Sequence, residues 1–372
     1  MNNNIMSVVF ASDSAEAKLN ELTIHRTTAS LPFCGRYRFI DFTLSNLVNS
    51  NITTIGIITK SNYSSLMDHI RMGRDWDLNR KNSGIAVFPP YVSNISRNVY
   101  RGKIEALHGI MDYITNAKEE YIVLTNSNIA ANIDYEEVYN AHIKANADIT
   151  MITHMAKPNN CTRVIVKSDE DNFVKEMLIK NSKSDEVSQI SLNIYLMKKD
   201  LLLKMIELGY EQGHMNFERH TLQQNLDKLK IYAYLHNGYS AIIDDIQSYY
   251  GENMKMLDSK VRNDLFYRAG KIYTKTKDSV PTIYREKSNV NNSLIADGCD
   301  INGTVENSIL FRGVVVEEGA VIRNSIVMEH GIIQKDAQLS YTITDKNVVI
   351  TENRRIAGYD TYPVVIAKNK TV

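Results

Sequence analysis

Residues 8–23 read VVFASDSAEAKLNELT. A short apolar run, Val8–Ala11, is followed by a turn of small polar residues and then a helix-like stretch. In nucleotide-binding α/β proteins such a junction cradles phosphate with backbone N–H groups on a glycine-rich loop. Here Ser12 to Lys18 contains no glycine. Without glycine, close backbone approach and positive φ angles are hard to reach. Asp13 and Glu16 would repel a phosphate, and Lys18 is the only cation of the stretch. Other chemistry is sparser. Cys34, Cys161 and Cys299 lie far apart, and none sits in a C-x-x-C pair. That odd, scattered set fits a reducing cytosol better than a disulfide framework. The nine histidines form no metal-like cluster with the cysteines, so a zinc site is not expected.

The elements that must position these residues follow from periodicity. Thr54–Thr59, Tyr121–Thr125 and Ala147–Met155 are short aliphatic runs suited to buried strands. Between the last two lies a helical pattern, YEEVYNAHIKANA, with Asp134 as its N-cap. Ile104–Thr115 reads as one helix, residues 189–205 as a strand and a helix, and Asp245–Leu257 as a final helix begun by Asp245. Such alternation predicts an α/β domain over 1–257 with a mostly parallel sheet. Residues 258–288 read as a linker. From 289 the character changes. Asn-Ser-aliphatic recurs as NSLIADG at 292, NSILFRG at 307 and NSIVMEHG at 324, with YTITDK at 341 as an echo. The spacing is 15, 17 and 17 residues, with aliphatics such as Ile301, Val315, Val321, Ile333 and Leu339 between the marks. Residues 289–372 are therefore expected to wind into a three-sided parallel β-helix.

The chain has 372 residues, enough for two or three domains. Lys+Arg and Asp+Glu both number 43, so no basic excess points to nucleic acid or a membrane surface. MNNNIMSVVF lacks the pattern of a signal peptide, and no apolar run approaches a membrane span. A cytoplasmic protein is the expectation.

LPFCGRYRFIDFTLSNLVNSNI (31–52) closely resembles the PFGGRYRIIDFxLSNxxNSGI block of ADP-glucose pyrophosphorylase (glucose-1-phosphate adenylyltransferase). WDLNRKNSGIAVFPPY (76–91) is similar to that family's WDLxRxxGGVxVLPPY, and GYSAIIDDIQSYYGENM (238–254) to its GYWKDVGTxxSxxxANM. The resemblance implies a nucleotide-sugar-transferase, Rossmann-like domain followed by a left-handed β-helix of hexapeptide type. It also implies the reaction of ATP with glucose 1-phosphate, which relies on Mg²⁺ and basic groups to neutralise phosphate charge.

Mapped onto this sequence, the family's phosphate-side Arg falls on Lys18 and its AKP lysine on Thr28. Its two metal aspartates fall on Asn128 and Ile242, so no metal cofactor is expected. Asp244 and Asp245 follow as carboxylates, read here as helix caps. On the sugar side, Lys180 and Ser191 match family positions, and Pro89 and Pro90 could flank an adenine-like pocket. The family binds anionic effectors where its domains meet; His25, Arg26, Arg38, Arg101, Arg354 and Arg355 are the basic candidates, with domain-packing ion pairs as the alternative. Loss of several charged groups at once predicts a dead or nearly dead site. The departures resemble the divergent D-type subunit of the family. That implies a regulatory partner of a catalytic paralogue, typically in a heterotetramer. The alternatives are an adenylyltransferase with an altered site and a stand-alone sugar-phosphate sensor.

Overall fold

A computed structural model of the chain describes residues 4–11, 16–60, 62–81, 83–90, 100–158, 161–182, 184 and 186–372. Asp13 and most of the glycine-free turn therefore lie outside the described residues. The main sheet has nine strands: β1 (Ile5–Phe10), β2 (Thr54–Ile58), β3 (Gly84–Phe88), β4 (Tyr121–Asn126), β5 (Ile149–Ala156), β6 (Cys161–Ser168), β7 (Val174–Ser182), β8 (Ser188–Lys198) and β9 (Ile231–Leu235). Their order is β7-β6-β8-β4-β1-β2-β3, with β5 paired to β8 and β9 to β5. The sheet is parallel through β4-β1-β2-β3 and at β5-β9. Strand β8 enters antiparallel to β4 and β5, and β6 and β7 also run antiparallel, so the whole sheet is mixed.

Strand β1 is apolar on both faces because both are covered. Ile5 and Val9 pack with helices α1 (Phe39–Asn49) and α2 (Tyr135–Ala145) through Ile40, Leu44 and Val138. Met6, Val8 and Phe10 face Ile104, Leu107, Leu202 and Ile206, the last two from α3 (Lys199–Glu211). Residues 104–115 form two short helices, Lys103–His108 and Met111–Asn116, rather than one. Asp134 caps α2, its Oδ1 accepting from the Glu136 and Glu137 N–H groups at 2.8 and 3.4 Å.

The stretch 258–288, read as a linker, carries structure. Helix α4 (Ile246–Lys255) is followed by α5 (Ser259–Tyr267), whose Leu265 and Phe266 are buried. The β-helix begins at Ile283–Tyr284, which pairs with Asp300–Ile301. It comprises three five-stranded parallel sheets. The Asn-Ser marks explain its coil length. Asn292, Asn307 and Asn324 all have positive φ (41°, 46° and 45°), which Asn tolerates better than most residues. The following hydroxyls stack: Ser308 N–H donates to Ser293 Oγ, Ser325 N–H to Ser308 Oγ and Thr342 N–H to Ser325 Oγ, each at 3.1 Å. Tyr341 takes the Asn position in the last repeat, at φ 48°. The two domains share a core: Phe33, Phe39, Tyr249 and Phe266 pack with Ile309, Phe311, Ile326 and Met328 of the β-helix.

Candidate functional site

The parallel strands β1, β2 and β4 end at Phe10, Ile58 and Asn126. These residues line one side of an open pocket of about 290 Å³. In open α/β sheets the carboxyl ends of the strands are where ligands bind. The other walls are the 100–106 segment, Thr162–Val164 of β6, Ile179, Asn193, Met215–Glu218 and Asp244. Lys60, Arg101, Lys103 and Arg163 bring positive charge to this space. Lys103 is held by Glu218 at 2.5 Å, and Arg101 approaches Glu105 at 3.4 Å.

Behind Asn126 and Asp244 of the pocket wall runs a short antiparallel pair, Ile129–Ala131 with Ser240–Ile242, which sets Ile242 opposite Ile129. The Ile243 N–H donates to the Asn128 carbonyl at 2.9 Å. Asn128 Nδ2 donates to the Ile243 carbonyl at 3.1 Å and approaches Asp244 Oδ1 at 3.4 Å. Asn128 is 2% exposed, and its Oδ1 finds no hydrogen-bond donor among the described residues. Asp244 forms an ion pair with Arg163, both side chains being largely buried (15% and 8% exposed). Asp245 caps α4: its Oδ1 accepts the Ser248 N–H at 2.7 Å, while its own N–H donates to Ser248 Oγ at 3.1 Å. Its Oδ2 accepts from the Cys161 thiol at 3.5 Å. Lys18 Nζ, at the other end of this chain of contacts, lies 3.7 Å from Cys161 Sγ. Burial, with Asp244 and Asp245 adding, pushes the Cys161 thiol up to about 11, so it stays protonated and non-nucleophilic. Thr28 is buried, and its N–H donates to Glu16 Oε1 at 3.1 Å. Ile242 belongs to the core.

The sequence-predicted residues fall into separate places. Lys180 is exposed on β7, directly across from Arg163 on β6. Ser191 is buried, and its Oγ accepts the Asn193 N–H at 3.0 Å where β8 bulges toward the pocket. Pro89 is exposed just beyond β3, and Pro90 is half-buried. The six basic candidates are not gathered into one site. His25 is exposed. Arg26 is buried, and its Nη2 donates to both carboxylate oxygens of Asp345 of the β-helix at 2.8 and 2.9 Å. Arg38 donates to the Ser65 carbonyl and hydroxyl at 2.8 and 3.0 Å, near the Lys346–Glu329 pair. Arg101 is at the pocket, and Arg354 and Arg355 are exposed at a different sheet of the β-helix from Asp345. Sequence reading missed Arg163 and Cys161. No alternation marks them, because residues 163–166 of CTRVIVKS are buried on both strand faces.

Residues 15–259 match the model of the nucleotidyl transferase family, and residues 279–362 match that of the GlmU-like C-terminal hexapeptide. The chain is 33% identical over 368 residues to the glycogen biosynthesis protein GlgD of Bacillus subtilis (strain 168), covering 99% of this chain and 97% of that one. It is 33% identical over 310 residues to the glucose-1-phosphate adenylyltransferase of Clostridium acetobutylicum, covering 82% and 81%. The chain belongs to the glucose-1-phosphate adenylyltransferase family. Within that family it is also similar to the glycogen biosynthesis protein GlgD of Geobacillus stearothermophilus, at 35% identity over 346 residues, 87% of this chain and 84% of that one. No helix among the described residues is long and apolar enough to cross a membrane.

Proposed function

We propose that this chain is a non-catalytic or weakly active subunit acting in glycogen biosynthesis, which assembles with a catalytic glucose-1-phosphate adenylyltransferase and raises its activity. One observation carries the reading: the corner that would hold a metal contains Asn128, Ile242 and a carboxylate, Asp244, committed to Arg163. Mg²⁺ takes one or two carboxylates plus substrate oxygens in near-octahedral geometry. An amide, an isoleucine and a neutralised carboxylate do not fit that demand, so no catalytic step is assigned to a metal here. The names of the similar GlgD proteins support the pathway. A phosphate-bearing effector would meet Arg38 at the domain junction, since Arg26 is already committed to Asp345 and Lys346 to Glu329.

The test is ADP-glucose synthesis from ATP, Mg²⁺ and glucose 1-phosphate. The purified chain alone is expected to show no turnover above background. Mixed with an intact catalytic paralogue, it is expected to raise the rate above that of the paralogue alone. Clear turnover by the chain alone, abolished by Lys18→Ala, would establish the adenylyltransferase reading instead.

A further inference from the structure

We propose that Arg163 is a tethered cation that takes over the charge-neutralising role of a divalent ion at this corner and closes it to metal. Asp244 is a largely buried carboxylate, and a carboxylate out of water needs a cation or a proton. Three observations identify the cation. The guanidinium of Arg163 pairs directly with Asp244. Asn128 turns its amide nitrogen, a donor, toward the same carboxylate at 3.4 Å, as it would toward no metal. The backbone clamp between Asn128 and Ile243 holds that geometry from both sides of the short two-stranded sheet. A guanidinium cannot lose its proton in a protein, so its charge is present at every working pH. It is covalently attached, so its local concentration cannot be diluted. A metal entering beside Asp244 would have to displace Arg163 from its ion pair. The corner is thus closed to metal in two ways: an amide at 128 in place of a charge, and a guanidinium on β6 that occupies the carboxylate of Asp244.

This inference rests on the metal-free reading above, and metal binding read directly separates the two. The probe is Mn²⁺, followed by its electron paramagnetic resonance signal, on the full-length wild type, Asn128→Asp and the double variant Asn128→Asp/Arg163→Met. The wild type is expected not to bind Mn²⁺ at submillimolar concentration; binding there would overturn the metal-free reading itself. Asn128→Asp, with Arg163 still in place, is expected to bind at least tenfold more weakly than the double variant. Equal binding by the single and double variants would overturn the role of Arg163. Asn128→Asp/Arg163→Lys, which keeps the charge, is expected to behave like Asn128→Asp. Should the double variant Asn128→Asp/Arg163→Met be unfolded without metal, Mn²⁺ is expected to restore its circular dichroism spectrum, and failure to do so would also overturn the proposal.

Discussion

His154 shows how burial, aided by a fixed guanidinium, sets the protonation of a side chain. It lies on β5, buried, with Nδ1 2.8 Å from Ser240 Oγ. Burial, then Arg163, then His236 lower its pKa to about 4, from an ordinary value of 6.5. The unfolded chain therefore takes up this proton first as pH falls, so stability present above pH 6.5 is lost on the way down to pH 4. The cost approaches ~3 kcal/mol at pH 4. Urea unfolding at pH 7 and pH 4 is expected to show a larger loss for wild type than for His154→Gln, by roughly that amount. Equal losses would mean that the imidazole accepts its proton inside the fold. At this scale the sequence was readable where the signal is local. Asp134 and Asp245 declare themselves as caps because the N–H groups they accept lie two and three residues on. The Arg163–Asp244 pair joins residues 81 positions apart across two sheets, and no local pattern reports it.

The hydroxyl ladder is the element-scale counterpart of that pair. Ser308 Oγ donates to the Glu306 carbonyl at 2.7 Å and accepts the Ser325 N–H at 3.1 Å, so one small side chain links successive coils. Ser308→Ala leaves a buried N–H without its acceptor, at a cost of about 1–3 kcal/mol. Ser308→Thr, which keeps the oxygen, is expected to recover most of it in chemical denaturation, much as Thr342 serves the last repeat. A larger loss for Thr than for Ala would show that packing, not the hydrogen bond, sets the position. The β-helix was legible because its marks repeat where the chain must turn. Helix α5 was not, because SKVRNDLFY carries only a weak apolar stripe and is fixed by burying Leu265 and Phe266 in the shared core. The break between the two helices within 103–116 comes at Gly109, the C-cap of the first, and Ile110; a glycine inside an otherwise helical pattern was read through. The antiparallel entry of β8 is likewise a matter of pairing, which an aliphatic run does not encode.

At the scale of the whole molecule, Arg26 and Asp345 fasten the two domains. Both are almost fully buried, and Asp345 also accepts the Lys346 N–H at 2.7 Å. Breaking such a pair from one side strands a charge and costs about 3–5 kcal/mol. Arg26→Met is expected to lower the urea midpoint accordingly, and Arg26→Met/Asp345→Leu to regain most of the loss. If the double variant falls as far as the single, the pair contributes more than mutual neutralisation. The shared aromatic and aliphatic core around Phe33, Phe311 and Met328 would keep the domains joined in either variant. The parallel stacking of the β-helix also makes it a ruler. Neighbouring strands lie ~4.8 Å apart, so the five strands of each sheet span roughly 20 Å from first to last. Excising one 17-residue repeat would shorten the rod by a single such step. Its far end would move relative to the pocket by a known increment, while the remaining rungs still met their own kind.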